Sequence, residues 1–86
     1  MGPTTIFWRP TTRGGTKLNP ILSRTLATHW QISPGEAVAL GRSDLVSLRA
    51  MRALARGTGF FPDTVAELDA LINEIEVGGG AELHLG

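Results

Sequence analysis

The sequence predicts a small α+β domain with the element order β-α-β-α-α-β, three short strands and helices packed on one face of their sheet. Three observations lead there. Segments rich in β-branched, aromatic or alternating residues lie near both ends and in the middle of the chain, and three other segments repeat apolar residues at helical spacing. Almost every one of these segments is bounded by proline, glycine or a capping residue. At 86 residues the chain reads as one domain, 1–86, with a thin margin of stability because so short a chain leaves much of its surface wet.

The first element is "TTIFWR", Thr4 to Arg9, a β-rich run that stops at Pro10. Residues 10–18 follow as a basic loop containing glycine and proline. "NP" at Asn19–Pro20 then opens a helix, since an asparagine oxygen can accept from free first-turn amides and proline at the first helical position forfeits no hydrogen bond. Ile21, Leu22, Thr25, Leu26 and Trp30 give this helix, Pro20 to Trp30, one apolar face. "SPG" at Ser33 to Gly35 makes a turn, and "EAVALG" reads as a short buried strand.

"RSDLVSLRAMRALARG" is the clearest helix, with Ser43 as cap, Asp44 at the positive end of the dipole, Arg56 at the negative end and Gly57 as the stop. Arg49, Arg52 and Arg56 fall in one stripe, while Leu48, Met51, Leu54 and the alanines occupy most of the remaining circumference. The expectation is a largely buried helix with an exposed arginine ridge. "TGFFPD" follows as a loop, and "TVAE", Thr64 to Glu67, forms a capping box that starts a third helix running to about Val77. Val65, Leu68, Leu71, Ile72 and Ile75 share its apolar face, flanked by Asp69 and Glu76 on one side and by Glu67 and Glu74 on the other. Residues 78–80 are a glycine turn, and the alternating "AELHL" is the last strand.

Charge is divided along the chain. All eight basic residues lie between Arg9 and Arg56, opposed there only by Glu36 and Asp44, whereas every charged residue from Gly57 onward is acidic. An antiparallel hairpin of the second and third helices would bring Arg56 near Glu67 and Arg49 toward Glu74, cancelling much of this division within one molecule. An arginine ridge left unpaired would suit an acidic or phosphate-bearing partner. A DNA-reading helix-turn-helix is disfavoured on two grounds: Gly57 to Asp63 is longer than that motif's turn, and the would-be reading helix is the acidic one.

Several chemistries are excluded or thinly supported. Without cysteine there is no disulfide framework, thiolate zinc site or thiol nucleophile. "GGTK" resembles part of a phosphate loop, but G-x-x-x-x-G-K-[ST] is absent. His29 and His84 are far apart in the chain and read as structural. Ser33, Ser43 and Ser47 have no nucleophile elbow, and no zinc-protease, EF-hand or dinucleotide pattern occurs. The chain is therefore read as non-enzymatic, with no cofactor or metal. No apolar run is long enough to span a bilayer and no secretion signal opens the chain, so the expected location is the cytoplasm, without membrane contact.

The expected function is that of a small interaction protein that binds and modulates another protein. Seven arginines to one lysine, with abundant alanine and glycine, point to a high-GC bacterial or phage genome and to an accessory factor encoded by a phage or mobile element. The alternative is a nucleic-acid-binding regulator using the basic N-terminal half, with Arg9, Arg13 and Lys17 on phosphates and Trp8 stacking on bases. Arg49, Arg52 and Arg56 complete the basic candidates, and Phe60 and Phe61 are aromatic ones, because adjacent rings in an extended loop cannot both point inward. A homodimer is also expected, covering a sheet edge at Thr4 to Trp8 or burying the Phe60–Phe61 loop.

Overall fold

The computed structural model describes residues 6–10, 16–59 and 61–86; for 6–10 and 16 the description is of the backbone alone. Its elements are β1 (Ile6–Pro10), β2 (Thr16–Lys17), α1 (Pro20–His29), β3 (Ala37–Gly41), a 3₁₀ turn (Arg42–Asp44), α2 (Leu45–Thr58), α3 (Pro62–Gly78) and β4 (Gly80–Leu85). They form a compact α+β domain.

The sheet differs from the expected three strands. Its central unit is the antiparallel pair β3–β4, running from Ala37 opposite His84 to Gly41 opposite Gly80. β1 pairs antiparallel along the other side of β4, and the two-residue β2 pairs with β1, so the order is β2-β1-β4-β3. The additional strand comes from the segment expected to be a loop. Phe7 stands opposite Lys17 and Trp8 opposite Thr16, so the basic stretch contributes a strand at each end. Within the segment expected to offer an open edge, Phe7 and Trp8 are paired on both sides, by β2 and by β4, while Thr4 and Thr5 lie outside the described residues.

β4 shows why the helices gather on one face. Ala81, Leu83 and Leu85 are buried while Glu82 is exposed, the period of two that a half-buried strand requires. Against that face Leu18, Leu22, Leu26, Leu40, Leu45, Leu48, Leu68, Leu71, Ile72 and Ile75 close a single core. Each fully buried leucine or isoleucine contributes about 1.5–3 kcal/mol relative to exposure.

α1 keeps its expected start but turns a different face inward. Leu22, Ser23 and Leu26 are buried, whereas Ile21 and Thr25 are exposed. Ser23 can be buried because its hydroxyl donates to the Leu18 carbonyl at 3.3 Å. The Thr25 hydroxyl likewise returns to the Ile21 carbonyl, at 2.9 Å.

Both expected ends of α2 shift. Ser43 lies within the 3₁₀ turn, and Asp44 caps this bend instead, its carboxylate accepting from the Gly41 amide at 2.8 Å and from Trp30 Nε1 at 3.4 Å. Gly57 lies inside the helix, and Gly59, with φ +70°, provides the left-handed stop that favours glycine. The connector to α3 is consequently only Gly59 to Phe61, which removes the length argument against a helix-turn-helix; the acidity of α3 remains. The expected burial of α2 is also overturned. Leu45, Leu48 and Ala55 form a narrow buried seam, while Val46, Ala50, Ala53 and Leu54 face outward.

Candidate functional site

Asn19 ties the starts of α1 and α3 together. Its Oδ1 accepts from the Leu22 amide at 2.9 Å, the cap expected from the sequence. Its Nδ2 donates to Glu67 Oε1 at 2.8 Å and to Thr64 Oγ1 at 3.1 Å, and its own main-chain amide reaches Glu67 Oε1 at 2.9 Å. Thr64 and Glu67 are therefore not the reciprocal capping box expected for α3, which begins at Pro62 after Phe61 with no side-chain cap. They receive a different helix's cap residue. The "TVAE" signal marked the right neighbourhood and the wrong bonds.

At the opposite end, Trp30 follows α1 directly and its indole reaches Asp44, the residue before α2. α1 and α2 accordingly run antiparallel, with the α1 start beside the α2 end. Between them lies an open groove of about 230 Å³, lined by Ile21, Leu22 and Thr25 of α1, Met51, Leu54, Ala55 and Thr58 of α2, and Phe61, Thr64 and Leu68. None of these side chains is charged. Its rim carries Ile21 at 54% exposure and Leu54 at 72%. Sequence periodicity missed this site by assigning both residues to buried faces; the retrievable signal was an apolar circumference on α2 wider than one contact seam can cover.

The arginine ridge is paired within the molecule. Arg49 binds Glu76, Arg52 binds Asp69 at 2.8 Å, and Arg56 reaches the same Asp69 oxygen at 3.4 Å. The expected hairpin pairing of α2 with α3 is present, but through the other flank of α3. Glu67 faces the α1 start, and Glu74 is buried instead of meeting Arg49. The Arg49 and Arg56 pairs are exposed and the Arg52–Asp69 pair is half-buried, so the exposed ones contribute about 0–1 kcal/mol each. A double-mutant cycle on Arg49 and Glu76, read by urea denaturation, is expected to give a coupling of a few tenths of a kcal/mol that shrinks in high salt. The corresponding Arg49–Glu74 cycle is expected to give none.

The remaining sequence candidates do not converge. Trp8 and Arg9 lie in β1, in register with Leu83 and Glu82 of β4, and Lys17 is exposed in β2. Arg13 and Phe60 lie outside the described residues. Phe61 is half-buried and lines the groove, so one of the two adjacent phenylalanines contributes to this surface. His29 packs edge-on against Trp30 with ring centroids 4.4 Å apart, and His84 Nε2 stands 2.6 Å from Glu82 Oε1 on the open face of the sheet. Among the described residues no three His, Asp or Glu side chains are grouped as metal ligands, and no helix is long and apolar enough to cross a membrane. The chain matches no protein-family model, no curated protein and no solved structure.

Proposed function

We propose that this chain is a small non-enzymatic interaction protein that binds and modulates another protein through the α1–α2 groove. The observation that carries the reading is a groove without charged lining whose rim exposes Ile21 and Leu54. Large apolar side chains exposed beside a concave apolar surface are the usual anchors of a protein contact. The occupant that fits is an amphipathic helix, laid between two antiparallel helices with one or two aliphatic side chains inserted beside Met51 and Leu68. Phosphate held by the α2 ridge is the less supported partner, because Arg49, Arg52 and Arg56 already have carboxylate partners on α3; nucleic acid held by Arg9, Arg13 and Lys17 is the alternative reading.

Photo-crosslinking tests this reading. A photoreactive residue at position 54, with one at the exposed Val77 of α3 as control, is introduced into otherwise unaltered protein and irradiated in bacterial lysate with and without nuclease. The expected result is a discrete nuclease-resistant adduct at position 54, absent at 77 and lost when Ile21→Lys is added. Equal labelling at both positions overturns the groove as the docking surface, and an adduct removed by nuclease replaces the protein partner with nucleic acid.

A further inference from the structure

Phe61 stands where three helix ends meet. The connector from α2 to α3 is only three residues long, and Gly59, with φ +70°, turns the chain so that Phe61 falls between the end of α2 and the start of α3. Pro62 then fixes it. A residue before proline is kept out of the helical region, and Phe61, at φ −131° and ψ 63°, stays outside α3 while its carbonyl accepts from the Val65 amide at 3.1 Å. Asn19 holds the start of α1 against the same corner through Thr64 and Glu67. Three adjoining concavities open at this junction, and among the described residues Phe61 alone lines all of them. The α1–α2 groove, of about 230 Å³, has no charged lining. A second concavity, of about 300 Å³, lies over the starts of α1 and α3 and includes Asp63. A third, of about 270 Å³, lies between the end of α2 and the start of α3 and includes Arg56.

We propose that Phe61 is the specificity-determining residue of the groove, its ring closing one end and restricting the partner's anchor to an aliphatic side chain of about leucine size. This rests on the groove being the docking surface and adds the class of side chain it accepts. The groove is smaller than the roughly 300–1,000 Å³ of most small-molecule sites, so it suits an inserted side chain. Room for a larger, aromatic anchor lies only past Phe61, in the two neighbouring concavities. A charged anchor is excluded for a second reason. Asp63 and Arg56 both lie beyond the ring, so a charge buried in the groove finds no partner there, and an unpaired buried charge is costly. Truncating the ring joins the groove to both neighbours, which lengthens the site and brings polar groups to its end.

Side-chain analogues test this on the full chain. Isopentyl alcohol carries leucine's isobutyl group and phenethyl alcohol carries phenylalanine's benzyl group, each on the same hydroxymethyl, and amide NMR titration reads where and how tightly each binds. The parent is expected to show shifts concentrated at Met51, Leu54 and Leu68, with isopentyl alcohol bound about tenfold more tightly than phenethyl alcohol. In Phe61→Ala that preference is expected to reverse, and the phenethyl alcohol shifts to extend to Asp63 and Val65. Phe61→Leu keeps an apolar side chain at the junction and is expected to fall between the two; it decides the question should circular dichroism show Phe61→Ala to be unfolded. A preference unchanged in the folded variants, or a parent that does not favour isopentyl alcohol, overturns the role of Phe61 and leaves the groove as the docking surface. Shifts no larger at the groove than at the exposed Val77, with either alcohol, overturn the groove itself and this inference with it.

Discussion

Asn19→Ala is expected to destabilise the fold by about 2–3 kcal/mol, far more than a partly exposed polar residue normally costs. Loss of a helix N-cap accounts for about 1 kcal/mol of this. The rest comes from Glu67, a half-buried carboxylate that loses the Nδ2 donor and keeps only the Asn19 main-chain amide, together with Thr64, whose hydroxyl loses the same donor. Two further variants separate the contributions. Asn19→Ser retains a good cap oxygen but has no amide to reach α3, so it should recover only about half of the loss. Asn19→Asp retains the cap and places a second carboxylate against Glu67, so it should be at least as damaging as alanine, although aspartate and asparagine are equivalent at ordinary N-caps. Urea denaturation midpoints at constant slope give these differences. If serine and aspartate both behave as the parent, Asn19 acts as a local cap and does not join the two helices. For a chain of this length, whose total stability is expected to be roughly 4–13 kcal/mol, a 3 kcal/mol loss is a large fraction.

What the sequence makes legible depends on the range of the interaction concerned. The start of α1 was legible because Asn19 and Pro20 act on amides within one turn of themselves. The alternation of β4 and the apolar face of α3 were legible for the same local reason: Leu68, Leu71, Ile72 and Ile75 repeat at the helical period and are all buried. The strand at Thr16–Lys17 was not legible, because two residues carry no periodicity and are ordered by pairing with a partner on β1. Gly57 suggests an α2 stop because glycine ends helices, yet "GTG" offers two glycines, and the left-handed position belongs to Gly59, one residue past Thr58. The division of charge implies the α2–α3 hairpin but not which acidic residues meet the arginines. Which flank of α3 meets α2 depends on how α3 rotates over the sheet, a tertiary choice that leaves no mark at the acidic positions themselves. The groove was hidden for a related reason, since the spacing of Ile21 and Leu54 shows that they are apolar and not which arc of each helix the core occupies.

Leu68→Ala is expected to cost about 3 kcal/mol, less than the truncation of an enclosed leucine, and its comparison with Leu83→Ala bears on whether the groove is a surface built to be filled. Both leucines are fully buried. Leu83 stands on β4 between the helices and the sheet, so its removal leaves an enclosed void, expected to cost about 3–4 kcal/mol. Leu68 borders the groove beside Met51 and Leu22, so the space vacated there joins a concavity already open to solvent, and the cost falls toward the lower part of the 2–5 kcal/mol range. The reverse change separates the sites further. Enlarging Leu83 to phenylalanine overpacks a closed core and should cost about 1–3 kcal/mol. Leu68→Phe can direct its ring into the groove, and should cost under about 1 kcal/mol while occupying the volume offered to a partner's side chain. Thermal and urea denaturation measure the stability series, and the photo-crosslink at position 54 measures the functional one. The expected combination is a Leu68→Phe protein that is folded and has lost its adduct. If Leu68→Phe is instead as destabilising as Leu83→Phe, the groove is a closed packing seam, and the interaction surface must be sought on the outer face of α2, where Val46 and Leu54 are most exposed.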